Sequence, residues 1–396
     1  SRAWTRPHRP EDSLMPTCEP LRAEQTGQSA DPNNTDTYAP EFDVEVSGRK
    51  LDPTTRGDVL SVKVDMDSKE LDHFEFTVNN WDDRTLSFKY SDTDTFDVGR
   101  DVVVRLGYSN RLVAVMRGKI EALSPKFPES GSPTLLVSGS SSLCLLRGRK
   151  PAKHEQKQFL AMTDYEIAEV VAQRNGLTPI VTREGPRHAE VWQRDLDDAM
   201  FLMERAKRID FELYVQTDEQ GRESLFFLKP KDRRDSGMTR VYVFEWGRSL
   251  MSFTPKLNAA RQVASVVVHG WDPTRKTAIE ATADVNSLPG AKGRGRSGPD
   301  VAGRKGDQVV DAPVTTQDEA QKLAEALLRD KAYEFITGDG RVIGIPDLKP
   351  GDNVELCGLG TRFSGLYYVK TVSHSVGGDG YTTTFGVRRV FDGGLA

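Results

Sequence analysis

The feature that most constrains this chain is a long stretch in which apolar and polar residues alternate. Val44 and Val46, then Val59-Leu60-Ser61-Val62-Lys63-Val64, then Phe74-Glu75-Phe76-Thr77-Val78 repeat with period two. That spacing places every second side chain on one face of a strand. Val102 to Leu106, Leu112 to Met116, Ile120 to Leu123 and Leu135 to Val137 continue the series. Turn formers separate the runs: Gly48, Asp52-Pro53, Gly57, Gly99, Ser109-Asn110 and Gly131-Ser132-Pro133. About seven strands between 42 and 140 predict a sandwich or a barrel. The 34 glycines and 21 prolines suit a chain with so many turns.

Helical spacing then interrupts the alternation. Thr163-Asp164-Tyr165-Glu166 has the form of a capping box, and Ile167, Val170, Val171 and Arg174 follow it at helical intervals up to Gly176. A second helix is expected from Asp195 to Arg208, with Ala199, Leu202, Met203 and Ala206 as its apolar stripe. Strands are expected at Phe211–Val215, Leu225–Leu228 and Tyr242–Trp246. Another alternates through Val263, Ser265 and Val267 within Gln262–Trp271. Thr316-Gln317-Asp318-Glu319 repeats the capping-box form before the longest helix, whose stripe is Ala320, Leu323, Ala324, Leu327 and Leu328. Strands at 342–346, 353–357, 366–373 and 381–389 close the chain.

Two segments stand apart. Residues 1–40 hold few apolar anchors beyond Trp4, Leu14, Met15 and Leu21, too few to offset the entropy of ordering them. They are expected to form an extended arm held by a partner surface. Residues 286–310, dense in Gly, Arg, Lys, Asp and Ser, are expected to be an exposed loop. The fold class expected is mainly β with an α+β insert. Its divisions are the arm (1–40), a first β region (41–150), a helical and mixed middle (151–255) and a second β region (256–396) carrying the 286–310 insertion.

Composition excludes several functions. With 54 basic against 59 acidic side chains and a net charge of −5, no basic face for nucleic acid is indicated. No run approaches the ~20 apolar residues of a spanning helix, and the N-terminus carries no apolar signal segment. Cys18, Cys144 and Cys357 are far apart and odd in number, which predicts neither a metal site nor a disulfide framework and fits a reducing compartment. The six histidines never fall within metal-ligand spacing of one another. Gly293-Arg294-Gly295-Arg296-Ser297-Gly298 satisfies G-x-G-x-x-G in form, but no apolar strand runs into it. Asp92, Asp94 and Asp97 lack the glycine and distant Glu of a calcium loop. The Asn79-Asn80-Trp81-Asp82-Asp83 stretch reads as a strand end with one packed aromatic rather than a glycosidase patch. His374 most resembles a base, yet a satisfied or surface histidine is the better reading. No enzyme, cofactor or metal is expected.

One internal echo stands out. Gly99-Arg100-Asp101-Val102-Val103-Val104 resembles Gly351-Asp352-Asn353-Val354-Glu355-Leu356. Gly118-Lys119-Ile120-Glu121-Ala122 follows the first, and Gly365-Leu366-Tyr367-Tyr368-Val369 follows the second after a connection five residues shorter. Either the chain carries two related β-barrels, or two antiparallel hairpins simply share a common pattern.

Gly270-Trp271-Asp272-Pro273-Thr274-Arg275-Lys276 resembles the GWDP segment of the phage late-control protein D family, the tail hubs of contractile phages and injection systems, related to the N-terminal part of VgrG spikes. Gly344 to Gly351 and Leu359 to Val369, including Phe363, followed by His374, resemble the family's C-terminal stretch. Tyr38-Ala39-Pro40-Glu41-Phe42 is similar to its lead-in to the first barrel. The Asp195–Phe211 helix resembles the family's too, except that Ile209-Asp210 stands where a glycine is common.

The resemblance covers roughly 38–391 and implies a homotrimer in which each chain gives two tube-like β-barrels. Three chains then form a pseudo-sixfold ring, one face matching a hexameric inner tube protein and the other a trimeric spike protein or fused spike domain. It implies baseplate proteins as further partners, assembly in the bacterial cytoplasm, and no membrane insertion. Ring-building residues expected on this basis are Gly99, Val102, Val104, Gly118, Trp271, Gly351, Val354, Leu356, Phe363, Gly365 and Tyr367, together with the stretches 96–106 and 348–356. The GWDP wording and the 286–310 stretch favour an injection system over a phage tail. Family members often continue into a spike, so the expectation is a separate spike protein or a longer parent chain. The alternative functions are a cell-wall (peptidoglycan) binding module and a tail-associated lysozyme.

Overall fold

The computed structural model describes residues 39–392 apart from 70, 110, 142, 144, 145, 149, 153, 154, 156, 218–221, 231–240, 289–294 and 304–307. The expected 1–40 arm therefore lies almost wholly outside the described residues. Six longer strands open the described chain, β1 (Pro40–Val46), β2 (Val59–Asp67), β3 (His73–Asn79), β4 (Asp101–Tyr108), β5 (Arg111–Lys126) and β6 (Thr134–Ser141), besides two-residue strands at Arg49–Lys50, Trp81–Asp82 and Ser87–Phe88. A mixed segment follows with β7 (Gln158–Thr163), α1 (Asp164–Arg174), β8 (Thr178–Val181), β9 (Arg187–Trp192), α2 (Asp198–Arg208), β10 (Glu212–Thr217) and β11 (Glu223–Leu228). Then come β12 (Val241–Glu245), β13 (Leu250–Leu257), β14 (Val266–Asp272), β15 (Thr277–Ala283), β16 (Gln308–Asp311) and α3 (Gln317–Tyr333). β17 (Ile336–Ile343), β18 (Asn353–Cys357), β19 (Gly365–Gly377) and β20 (Gly380–Arg389) complete it.

The chain is mainly β, and strands from both ends share one 13-stranded sheet. Within that sheet one six-stranded arrangement occurs twice. In the first, the spatial order is β2-β3-β6-β5-β4-β1; in the second it is β13-β17-β20-β19-β18-β12. Numbered along the chain, both read 2-3-6-5-4-1. All pairings within the two units are antiparallel except that of β12 with β18, which is parallel where β1 and β4 are antiparallel.

The likeness extends to backbone irregularities. The β5–β6 register skips between Ile120 and Ala122, and the β19–β20 register skips at the matching place between Val369 and Thr371. The β2–β3 and β13–β17 ladders slip between Val59 and Ser61 and between Leu250 and Ser252. Bulges bend and twist a strand, so shared bulges give the two units the same curvature. The hairpin echo is part of this repeat. Gly99 and Gly351 both have positive φ, at 86° and 94°, where a Cβ would be strained. Gly99 N–H donates to Ile120 O at 2.8 Å and Gly351 N–H to Val369 O at 3.0 Å. The second glycines are not equivalent: Gly118 faces Val102, whereas Gly365 faces Leu356, two residues further along the strand.

The two units are joined edge to edge. Thr371–Val376 of β19 pair antiparallel with Val62–Asp67 of β2, and one hydrophobic core runs from Val44, Val62 and Phe76 to Phe244, Val354 and Phe385. Strands β12 and β13, placed by sequence in the middle region, belong to the second unit. The described residues between 258 and 335 form a layer of their own between β13 and β17. There β14 pairs with β15 and β16, and α3 packs its Ala320, Leu323, Ala324 and Leu328 against Val266 and Val268. In the first unit the corresponding connection, between β2 and β3, is only residues 68–72.

The capping box at Thr163 forms as expected, with Thr163 Oγ1 accepting from Glu166 N–H and Glu166 accepting from Thr163 N–H. At Thr316 only half forms, because the Glu319 carboxylate accepts from Thr315 N–H and Arg208 instead. The 286–310 stretch is not wholly an exposed loop. Ser297 and Asp300 cap a short helix at Gly298–Ala302, with Pro299 in its first turn, and residues 308–311 pair with β14. A cap and a proline start a helix even amid Gly and Arg, and composition hides that signal. Buried Cys357 is disulfide-bonded, correcting the expectation of free thiols; its partner lies outside the described residues. Sequence separation carries no information about such tertiary proximity.

Gly118 tests the repeat's tight geometry. A Cβ built there would sit 1.9 Å from Ser140 O, a backbone atom that cannot rotate away. Gly118→Ala is expected to destabilise the chain by about 1–3 kcal/mol in denaturant unfolding. Gly57→Ala, with nothing within 4 Å, serves as the control and should leave the midpoint nearly unchanged.

Candidate interaction surface

The residues singled out from sequence divide into two kinds. Val102, Val104, Val354, Leu356 and Tyr367 are buried in the shared core, so they shape the units from within. Gly99 and Gly351 turn the chain into β4 and β18, while Gly118 and Gly365 lie in β5 and β19. Phe363 sits in the short turn before β19, where its carbonyl accepts from Tyr367 Oη at 2.7 Å. Trp271 differs from all of these. It lies on β14 and is 54% exposed. Two residues earlier on the same strand, His269 stands between Glu280 (3.8 Å) and Asp311 (3.4 Å) on the flanking strands.

Sequence reasoning missed the two sheet edges. β13 is one end of the hydrogen-bonded path; among the described residues its ladder partner is β17, apart from a single bridge between Leu250 and Trp246. β5 runs past the end of β4: its register with β4 stops at Lys119, while β6 stays paired with it to Lys126. Over Ala122–Lys126, β5 therefore has a ladder on one side only among the described residues. Both edges are exposed at positions whose counterparts at the internal joint are buried. Val62 and Val64 are fully buried on β2, but their counterparts Phe253 and Pro255 on β13 are only partly covered and Leu257 is 38% exposed. Val376 is buried on β19, but its counterpart Phe127 is 61% exposed and packs against Phe88, which packs in turn on Trp81. Exposed strand edges of this sort are templates for pairing with another chain.

Buried charges fasten the added layers to the sheet. His188 of β9 lies between Asp164, 3.0 Å from Nε2, and Glu319 of α3, 3.3 Å from Nδ1. Arg205 donates to Asp164 at 2.5 Å, and Arg208 reaches Glu319 at 3.1 Å. Burial pulls the His188 pKa down, but the hydrogen bonds to Asp164 and Glu319 outweigh it and the net shift is upward. A second cluster centres on Arg388, whose guanidinium lies 3.6 Å over the Tyr333 ring and 4.6 Å over Tyr368. Asp210, which accepts from Tyr333 Oη at 2.8 Å, has φ of +55°. That backbone state costs a glycine nothing, which accounts for glycine being common there in the resembled family. Burial raises the pKa of Asp210 and pushes Glu212 up to about 7 despite Arg388 nearby.

His374 is no base. Fully buried, it faces Leu348 O at 3.2 Å through Nε2 and Tyr381 Oη at 3.0 Å and Thr383 Oγ1 at 3.1 Å through Nδ1. Burial lowers its pKa to about 4, so it is a neutral core histidine that donates from Nε2. Asp94 pairs with Arg100, and Asp97 accepts from Val98 N–H, so that acidic cluster forms an ordinary turn. Among the described residues no group of three or more His, Cys, Asp or Glu could hold a metal ion, and no helix is long and apolar enough to cross a membrane.

Residues 36–378 match the family model of the Alg8 N-terminal domain. Among solved structures, the chain is similar to the 43 kDa tail protein of prophage MuSo2 from Shewanella oneidensis (15% identity, TM-score 0.65, 89% of this chain and 98% of that one). It is also similar to a tail protein from Neisseria meningitidis MC58 (14%, 0.64, 89% and 97%). A third likeness is to the E. coli c3393 protein, a component of the type VI secretion system described as similar to the T4 bacteriophage tail proteins gp27 and gp5 (13%, 0.54, 89% and 78%). The fold is thus that of phage tail and contractile injection hub proteins. No curated protein matches the chain.

The His188 cluster has a testable pH signature. Because the folded-state pKa is raised, its stabilisation is complete below the unfolded value of 6.5 and is lost as pH rises through the folded value. His188→Gln is expected to lower stability by about 1.5–3 kcal/mol at weakly acidic pH. The gap between the native chain and the variant should narrow in thermal melts as pH rises above the unfolded value of 6.5.

Proposed function

The chain belongs to the Alg8 N-terminal domain family, and from that premise we propose that it is the structural hub of a contractile injection particle. In this reading it adapts a sixfold inner tube to a threefold spike at the centre of a baseplate. The observation that carries the reading is the repeated six-stranded unit, alike in chain order, spatial order and two bulge positions. Three chains with two such units each present six similar faces to a hexameric tube protein. The layer within 258–335, inserted in the second unit alone, and the mixed segment around α1 and α2, which lies between the units, make the two units unlike and leave a threefold pattern for a trimeric spike.

The reading needs no catalytic step. Its partners are two further copies of the chain, a tube protein, a spike protein or domain, and baseplate proteins, with assembly in the bacterial cytoplasm. The likeness to tail proteins from two bacteria and to a type VI component supports the same structural role. Mass photometry is the direct test. A species of three times the chain's mass is expected, alone or with the spike protein. A persistent monomer in the presence of both tube and spike proteins overturns the reading.

A further inference from the structure

Cys357 ends β18, is buried, and is disulfide-bonded. The sequence holds two cysteines that could be its partner, Cys18 in the 1–40 arm and Cys144. A disulfide needs its two Cα atoms within about 7 Å of each other. Cys144 stands between Leu143 and Leu146, both buried in the core of the middle segment with Phe159, Ile167 and Phe211. That segment meets β18 at its other end. The Glu212 carboxylate lies 3.9 Å from where Gly351 would carry a Cβ and 3.8 Å from Arg388, whose register partner Tyr368 faces Asn353. From Asn353 the strand climbs about 13 Å to Cys357. The neighbours of Cys357 belong to the sheet instead: Glu245 faces it across the ladder, and Trp246 N–H donates to its carbonyl at 3.0 Å.

The arm joins the described chain close to this place. Pro40 faces Tyr108, and Tyr108 Oη donates to Gly344 O at 2.8 Å. Gly344 follows Ile343 at the end of β17, Val342 faces Leu250, and Leu250 bridges to Trp246. A continuous run of contacts therefore leads from the root of the arm to Cys357. Three apolar side chains along it, Ile343, Met251 and Trp246, are exposed. The arm carries its few apolar residues on both sides of its cysteine, with Leu14 and Met15 before it and Leu21 after it. The stretch from Cys18 to Pro40 can span up to about 75 Å, so its length does not limit the reach.

We propose that Cys18 is the partner of Cys357, and that this disulfide clips residues 14–21 onto the exposed patch of Ile343, Met251 and Trp246. The surface that holds the arm is then this chain's own second unit. The clip goes beyond the hub reading and does not depend on it. To close it, the two thiols give up two protons and two electrons. A small-molecule disulfide takes them by exchange and leaves as two thiols. The clip is thus open in a reducing compartment and closed outside one.

Peptide mapping of the full chain tests this. The protein is equilibrated with glutathione disulfide, alkylated under denaturing conditions, and digested with trypsin without reduction. Trypsin spares Arg–Pro and Lys–Pro bonds, so Cys18, Cys144 and Cys357 fall in the separate peptides 3–22, 127–147 and 342–362. The expected product is 3–22 bonded to 342–362, from protein that runs as a single chain on a non-reducing denaturing gel, with 127–147 alkylated. C144S should keep the bond, and C18S should leave Cys357 alkylated. A bond from 127–147 to 342–362, three alkylated cysteines, or a bond present only in covalent dimers overturns the proposal. Docking is read separately, as the ratio of glutathione disulfide to glutathione at half closure. W246S is expected to shift that ratio toward more oxidising mixtures, whereas W271S, also at an exposed tryptophan but on the inserted layer, should leave it in place. The same ratio in the native chain and both variants overturns the docking of 14–21 on the patch.

Discussion

The pairing of β19 with β2 is the interaction on which the rest of the molecule depends. Without it there would be two six-stranded sheets, each with an open edge and an apolar face too small to stand alone. With it, one sheet and one core extend through both units, so residues as far apart in sequence as Val62 and Val376 face each other. Joining two edges removes two of the four that the pair of units would otherwise expose, and it does so with apolar residues on the inner face. The buried Val62, Val64, Val372 and His374 show how dry that joint is. His374 is tolerated there because all its polar atoms are engaged and burial keeps the ring neutral.

The added layers are held differently. The middle segment and the 258–335 layer have their own apolar cores, but they meet each other and the sheet through buried charge. Asp164, His188, Arg205, Arg208 and Glu319 tie β9, α1 and α2 to α3; Arg388, Tyr333, Asp210 and Glu212 tie α3 and β10 to β20. Such contacts are directional and penalise any rearrangement that leaves one partner alone. They fix the orientation of the insertions relative to the duplicated sheet, which a purely apolar contact would leave freer to slide.

Much of this was legible in the sequence, and the illegible part has identifiable causes. Period-two alternation found β2 and β3 because one face of each is buried; β4 and β18 were found as apolar runs covered on both faces, while the strand expected at 342–346 lies instead at 336–343. The edge strand β13 escaped although Met251, Phe253, Pro255 and Leu257 alternate with Ser252, Thr254 and Lys256, because a proline inside the run argues against a strand unless it lies at a sheet edge. The echo at Gly99 and Gly351 was visible, since both positions need a left-handed backbone. The rest of the duplication was not, because residues 258–335 interrupt the second unit at a place where the first has a short turn. Bulges at Glu121 and Lys370 leave no common residue type behind them. Conversely, the most conspicuous motif in the sequence, the one around Trp271, sits on an exposed face of the inserted layer and away from the joint.

A duplicated unit with unequal edges has a further physical consequence. The internal joint is formed as the chain folds, costs no loss of translational freedom between molecules, and can be fully hydrogen-bonded and dry. The corresponding edges left over, at β5 and β13, carry Pro125 and Pro255 and remain half-solvated. They are therefore compatible with a soluble chain while retaining apolar Leu123, Leu257, Phe127 and Phe253. The bulges the two units share, at Glu121 and Lys370, bend both at the same place. Equal twist from unit to unit is the condition for a closed ring of quasi-equivalent parts, and the shared bulges are the local geometry that sets it.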